Sequence, residues 1–175
     1  MGELRSPDGI ERQHIHESGG SRLHTWPVSL AGLGIFLGAA LVGWFGKESH
    51  WTDANAGVEL SVDAPIRIRN GEIFEMLITV EADRSISDLV LLVDEDVWRD
   101  LTVNTFIPAA NAEGYRDRAF AFRFGSLEAG SRFVIKIDGQ VNPDHAPSSN
   151  RGRVAIADGD GEPLASVDYV MAVLP

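Results

Sequence analysis

The sequence predicts a mainly β protein, in which a single N-terminal transmembrane helix precedes an antiparallel β-sandwich of about 7–9 strands. Three observations lead to this fold class: an uncharged apolar run near the N-terminus, apolar alternation with a period of two after residue 57, and turn-forming residues between the alternating segments. The expected boundaries are a disordered polar arm at 1–25, a transmembrane helix at 26–46, a linker at 47–57 and a sandwich domain at 58–175.

The N-terminal arm at 1–25 is expected to lack a fixed structure. It contains few apolar residues, shows no sustained periodicity and is broken by Gly19, Gly20 and Ser21. A segment of this composition cannot bury enough apolar surface to offset the entropy lost on ordering.

The apolar run at residues 28–45 has 18 residues and no charged side chain. As an α-helix it spans about 27 Å, close to the thickness of a bilayer's hydrocarbon core. Pro27 suits the first helical turn, and Trp26, Trp44 and Trp51 are expected at the membrane–water interfaces. The run exceeds the signal-peptide core of about 7–15 residues, which predicts an uncleaved signal-anchor in the lipid bilayer.

Small residues in this helix indicate a helix–helix contact. Gly34, Gly38 and Ala31 fall on one face, and Ala39 with Gly43 makes a second small-x-x-x-small pair. Such spacing lets two helix backbones approach closely. The expected partner is a membrane protein or a second copy of the chain, and the alternative is the ordinary Gly and Ala content of membrane helices.

The charges that flank the helix predict its orientation. Arg12 and Arg22 precede it, while Lys47 follows it together with Glu48. This excess of arginine favours a cytoplasmic N-terminus. The protein is therefore expected in the cytoplasmic membrane as a single-pass protein, with its C-terminal domain in the periplasm or outside the cell.

The domain is expected to contain about eight short strands and no amphipathic helix. Its core is expected to form from inward-facing aromatic and aliphatic side chains on facing strands. The predicted strands lie at 58–62, 66–68, 74–80, 86–93, 102–107, 119–124, 133–137, 154–157 and 164–174.

Two segments of the domain carry a resemblance to a known architecture. Residues 70–94, NGEIFEMLITVEADRSISDLVLLVD, resemble the first core strands of immunoglobulin-like bacterial surface modules, and residues 122–143, FRFGSLEAGSRFVIKIDGQVNP, are similar to their late hairpin. The resemblance implies an immunoglobulin-like sandwich with an adhesive, spacer or subunit-docking role and no catalytic residues. The Cys…Trp…Cys signature of antibody domains is absent.

Charge and cysteine content exclude several function classes. The net charge is −11, and nearly all of it falls after residue 46, so nucleic-acid phosphates would repel the domain. The chain has no cysteine, which excludes disulfides, thiolate metal sites and cysteine nucleophiles. No pattern for a charge-oriented histidine base and no nucleophile elbow occurs, so no catalytic residue and no cofactor are expected.

Two acidic stretches are the candidates for a metal ion, although no metal is expected. Asp158 and Asp160 alternate with glycines, but the spacing lacks the further ligands of a calcium loop and equally suits a β-turn. Asp94 and Asp96 form a denser cluster beside Trp98, for which the alternative is a solvated loop with the indole tucked into the sandwich edge.

The sequence therefore leads to two hypotheses for function. The first is a single-pass, membrane-anchored, non-catalytic interaction or accessory subunit, which presents an extracytoplasmic immunoglobulin-like domain to a membrane protein partner. The second is an extracytoplasmic module that binds or senses a cation or a small ligand, held either by the acidic loop at 94–100 or by the loop at 142–152.

Overall fold

The computed structural model of the chain describes residues 25–41, 48–143 and 148–174. It divides into two units, Met1–Val42 and Gly43–Pro175. The predicted disorder of the arm up to residue 24 lies outside the described residues, and so do Gly43 and Trp44.

The first unit contributes one helix, α1 (Thr25–Leu41), which has 17 residues. At 1.5 Å per residue it is about 26 Å long, whereas a transmembrane helix needs about 20 apolar residues. No helix in the described part of the chain is both long and apolar enough to cross a membrane. The predicted transmembrane helix at 26–46 is therefore wrong, because the described helix is shorter than the predicted one.

The predictions that rested on this span are contradicted with it. They are the signal-anchor, the localisation in the cytoplasmic membrane, and the orientation that placed the domain in the periplasm or outside the cell. Residues 28–41 of the apolar run lie in α1, and Pro27 lies in the first turn of this helix, where a missing N–H removes no intrahelical hydrogen bond.

The second unit is built from two sheets. One has five strands in the order β1-β2-β4-β9-β6, and the other has six in the order β3-β11-β10-β5-β8-β7. All pairings are antiparallel except that of β3 with β11. The strands are β1 (Glu48–Asn55), β2 (Val58–Pro65), β3 (Arg67–Arg69), β4 (Ile73–Ala82), β5 (Ile86–Asp94), β6 (Leu101–Ile107), β7 (Ala112–Arg116), β8 (Ala119–Leu127), β9 (Ser131–Val141), β10 (Ser148–Asp158) and β11 (Pro163–Leu174).

The sheets pack face to face because their strands alternate in polarity. In β4, Phe74, Met76 and Ile78 are buried while Glu75 and Glu81 are exposed. One hydrophobic core takes buried side chains from both sheets. The mainly β architecture with two packed sheets therefore agrees with the prediction, and the finer resemblance to immunoglobulin-like modules stays a prediction.

Three segments that lack a strong apolar pattern are nevertheless strands. The expected linker at 47–57 contains β1, which pairs with all eight residues of β2, and the expected loops contain β7 and the first half of β10. The described residues thus form 11 strands instead of 7–9. Backbone pairing to a neighbouring strand determines these elements, since much of their side-chain surface faces solvent and leaves little alternation in the sequence.

Candidate functional site

The Asp158–Asp160 turn is occupied by structural contacts. Asp158 Oδ1 accepts main-chain N–H groups from Ser87 and Asp88, each at 3.0 Å. The carboxylate of Asp160 forms an ion pair with Arg123, which also pairs with Asp88. Asp158 therefore joins β10 to β5, and Asp160, in the turn after β10, joins that turn to β8.

The Asp94–Asp96 stretch is engaged in the same way. Asp94 Oδ2 accepts the main-chain N–H of Arg153 at 2.8 Å, and Asp96 pairs with Arg99 and, at 3.6 Å, with Arg118. Within the described residues, no group of three or more potential metal ligands is close enough to hold an ion. The acidic loops consequently offer little support to the ligand-sensing hypothesis.

Glu95 fixes the neighbouring β7–β8 hairpin. Its side chain accepts hydrogen bonds from the Tyr115 hydroxyl and, at 2.7 Å, from Arg118 Nε. These two contacts, the tyrosine first, lower the pKa of Glu95. The hairpin turn is Asp117-Arg118, with φ of 50° and 64°, which is the left-handed geometry of a tight two-residue turn. The cluster is therefore a structural clamp on an exposed edge.

The predicted helix-packing residues lie on α1, except for Gly43. Ala31, Gly34 and Gly38 share a face, and no atom comes within 4 Å of a Cβ placed at either glycine. A helix–helix contact on this face stays a prediction. The same applies to Ala39.

Of the predicted interfacial tryptophans, Trp26 is exposed on α1. Trp51 instead belongs to the sandwich, where its ring packs edge-to-face on Tyr169 with centroids 5.1 Å apart. Nearby, Asp53 Oδ2 accepts the main-chain N–H of Ser166 at 2.8 Å. Strand β1 therefore covers the exposed edge of β11 and closes this side of the sandwich.

The outer face of β1 and β2 carries an arrangement that the sequence did not reveal. His50 Nδ1 lies 2.7 Å from Asp63 Oδ1, and Thr52 Oγ1 lies 2.7 Å from His50 Nε2. Ser61 Oγ is 3.3 Å from the threonine hydroxyl. The residues meet because β-pairing places His50 opposite Asp63 and Thr52 opposite Ser61. Their order matches the carboxylate–imidazole–hydroxyl series of serine hydrolases.

The surroundings of this series do not favour catalysis. The side chains of His50 and Asp63 are 59% and 41% exposed, whereas electrostatic stabilisation of a transition state depends on a water-excluded site. A cross-strand hydrogen-bonded pair of this kind stabilises a sheet by about 0.2–1 kcal/mol. We therefore interpret the series as a contact that holds the edge strand β1 on β2.

The feature that remains without a structural explanation is the edge strand β6. Residues 102–107 form main-chain hydrogen bonds only to β9 within the described residues. Every second residue of an edge strand points its N–H and C=O away from the sheet. The strand sequence, LTVNTFI, contains no charged side chain, and Val103 and Ile107 are 37% and 52% exposed.

Each of the other described edge strands is protected. The edge strand β1 packs against β11 through the contacts of Trp51 and Asp53 described above. In β3, the N–H and the C=O of Arg69 are both bonded to Glu72, at 2.9 Å and 3.1 Å. Strand β7 carries Glu113 and Arg116, which are charges that oppose the addition of another strand. Strand β6 carries no charge, and the shift in its pairing register with β9 between Val103 and Thr105 is the one irregularity along this edge among the described residues.

Comparison with known proteins does not place the chain in a family. No protein-family model matches it, and no curated protein is similar to it in sequence. Among solved structures it is similar to a family 123 glycoside hydrolase from Clostridium perfringens, at 15% identity and a TM-score of 0.40, over 62% of this chain and 22% of that one.

Two further solved structures have lower scores. The alkylpurine DNA glycosylase AlkC of Pseudomonas fluorescens is 18% identical, with a TM-score of 0.34, over 62% of this chain and 28% of that one. AvmM, which catalyses a macrocyclization in alchivemycin A biosynthesis, is 11% identical, with a TM-score of 0.35, over 71% of this chain and 96% of that one. The chain thus spans under a third of the hydrolase and of the glycosylase, and likenesses this low carry no functional argument.

Proposed function

We propose that residues 48–174 form a non-catalytic interaction module, which binds a polypeptide partner by adding a partner strand to the free edge of β6. The observation that carries this proposal is the unpaired and uncharged main-chain edge of residues 102–107. In strand addition, main-chain hydrogen bonds supply affinity, and alternate side chains supply specificity.

The side chains around the edge support the same function. Ile107 lies opposite Lys136 in the sheet register, so Val134 is its diagonal neighbour on β9. Ile107 and Val134 are 52% and 41% exposed. A strand added to β6 would lie beside Ile107 and cover part of its exposed side chain, and a fully buried side chain of this type contributes about 1.5–3 kcal/mol.

The charges nearby do not oppose an uncharged partner strand. Lys136 lies opposite Ile107, and its Nζ is 2.5 Å from Glu75 Oε2 and 3.5 Å from Asp138 Oδ1. These contacts, with the Glu75 hydrogen bond first, raise the pKa of Lys136. The ammonium is thus neutralised within its own sheet, so the edge selects its partner by backbone and apolar contacts.

The proposal is tested with a displayed library of random 12-residue peptides, selected on the full chain. Peptides that bind should alternate apolar and polar residues, as a β-strand with one covered face does. Val103→Lys and Ile107→Lys should each weaken their binding by at least about tenfold, because a lysine on an edge strand opposes pairing.

The matched control is Ala112→Lys, which adds the same charge to an exposed position of a different edge strand, β7. This variant should bind the selected peptides as the unchanged chain does, and thermal melts should show that all three variants are folded. Peptide binding that survives both β6 substitutions, or that is lost equally in the control, would contradict strand addition at β6.

A further inference from the structure

The hairpin of β1 and β2 allows a further inference, which concerns the opposite edge of the five-stranded sheet from β6. We infer that β1 exchanges between two copies of this chain: β1 of each copy pairs with β2 of the other, which gives a two-fold symmetric, strand-swapped dimer. The inference is independent of the proposed function, because β6 takes no part in the exchange.

The turn at residues 55–58 is the hinge for this exchange, and it is strained. Its two central residues, Ala56 and Gly57, have φ of 51° and 73°. A tight hairpin turn requires such left-handed geometry, which Asn, Asp or Gly usually supplies at the first of the two positions. An alanine is strained there, because its Cβ lies too close to the following carbonyl oxygen. In an extended hinge φ is negative, so the strain is relieved, and short strained hinges favour strand exchange.

Strand β1 is suited to exchange because none of its side chains is fully buried. It is the first strand of the sandwich, so within the sandwich the hinge is the connection that changes when β1 moves. Its contacts include the ladder with β2, the packing of Trp51 on Tyr169, and the hydrogen bond that Asp53 accepts from Ser166. A strand with few buried apolar contacts opens at a lower free energy than the core of a sheet.

A second copy is the partner that fits the place of β1, because its own β1 has the same residues and makes the same contacts. In the hairpin, Asn55 lies opposite Val58, and each earlier residue of β1 lies opposite the next residue of β2. When the hinge is extended, this register places Ala56 of one copy opposite Gly57 of the other, on either side of the two-fold axis. The dimer therefore keeps the eight β1–β2 pairs of each copy and extends the ladder through the hinge.

The inference is tested by sedimentation velocity of the full chain, refolded from urea over a range of concentrations. Ala56→Gly relieves the closed hinge and should weaken the dimer by about tenfold. Gly57→Ala should tighten it by a similar factor, because the new Cβ fits, 3.8 Å from the nearest atoms of Arg84, but is strained at this φ. The matched control is Gly130→Ala, at φ of 77° with no atom within 4 Å of the new Cβ, which should not change dimerisation. The absence of a dimer in Gly57→Ala, or equal effects of all three changes, overturns the inference.

A pair of cysteines distinguishes strand exchange from any other dimer. The chain has no cysteine, and Thr52 lies opposite Ser61, with their side-chain oxygens 3.3 Å apart. Opposite residues of antiparallel strands have Cα atoms about 4.5–5.5 Å apart, which suits a disulfide. In the oxidised dimer fraction of Thr52→Cys with Ser61→Cys, the disulfides should join two chains, which then migrate as a covalent dimer under denaturing, non-reducing conditions. Disulfides within single chains of that fraction overturn the exchange, and they are the result expected of a dimer formed through β6 or α1.

Discussion

Tyr169 allows a prediction in which the sign of a stability change reverses with pH. It is fully buried on β11, its hydroxyl donates a 2.9 Å hydrogen bond to the main-chain oxygen of Pro65, and its ring contacts Trp51. Tyr169→Phe keeps the ring and removes the hydroxyl. At pH 7 the lost hydrogen bond should lower the free energy of unfolding by about 1 kcal/mol.

Alkaline pH should reverse this difference. Burial raises the pKa of Tyr169 well above its ordinary value of 10.0, so above pH 10 the unfolded chain loses this proton while the folded chain keeps it. The unfolded state then binds fewer protons, and the stability of the unchanged protein falls as pH rises, by about 1.4 kcal/mol at pH 11. Tyr169→Phe has no such loss, so its stability should overtake that of the unchanged protein between about pH 10 and pH 11.

The measurement is urea unfolding of both proteins at several pH values from 7 to 11, followed by far-ultraviolet circular dichroism. Groups other than Tyr169 titrate in both proteins and cancel in the difference. The chain contains only two tyrosines, and the hydrogen bond from the Tyr115 hydroxyl to Glu95 raises the pKa of Tyr115 as well. Tyr115→Phe is therefore measured in parallel: it should remove only the share of the alkaline decline that Tyr115 contributes and leave the share of Tyr169 in place. Parallel stability curves for Tyr169→Phe and the unchanged protein up to pH 11 would refute the reasoning.

Three further predictions concern packing, a buried amide and an exposed ion pair. Gly139→Ala should lower the free energy of unfolding by about 1–3 kcal/mol, because its Cβ would lie 2.6 Å from Phe74 Cζ. In chemical denaturation, the added change Phe74→Leu should recover part of this stability, and a double variant that recovers none of it would contradict the clash. Asn150→Ala should lower the free energy of unfolding by about 1–3 kcal/mol, since the Asn150 amide donates to two main-chain oxygens of the 97–99 turn at 3.3 Å and 2.7 Å. In a thermal melt, an unchanged melting temperature would show that water replaces the amide. Hydrogen bonds lower the pKa of Glu95 below its ordinary value of 4.5, so the stability that the Glu95 carboxylate adds to the folded state is present above that pH and is lost on acidification. Glu95→Gln should therefore flatten the fall in melting temperature between about pH 5 and pH 3. A fall as steep as that of the unchanged protein would refute this.

The sequence determined the alternation and the turns. Residues 74–80 and 133–137 read as strands because one face is uniformly apolar, and both lie inside observed strands with that face buried, except that Phe133 is half-buried. These features are local, since side chains two residues apart on a strand share a face whatever lies beside it. The sequence likewise showed an apolar helix near the N-terminus, but the length of an apolar run does not determine the length of a helix, and the predicted membrane span was wrong for that reason.

Only the tertiary structure decided which strands are neighbours and which edges stay free. The pairing of His50 with Asp63 follows from the register of β1 on β2, and the roles of Asp94 and Asp158 follow from the main-chain N–H groups that other strands bring to them. The composition of β6 is visible in the sequence, but an uncharged strand is unremarkable when it lies in the middle of a sheet. It becomes a candidate binding edge only because the sheet order ends there, and sheet order is a non-local property that no single segment encodes.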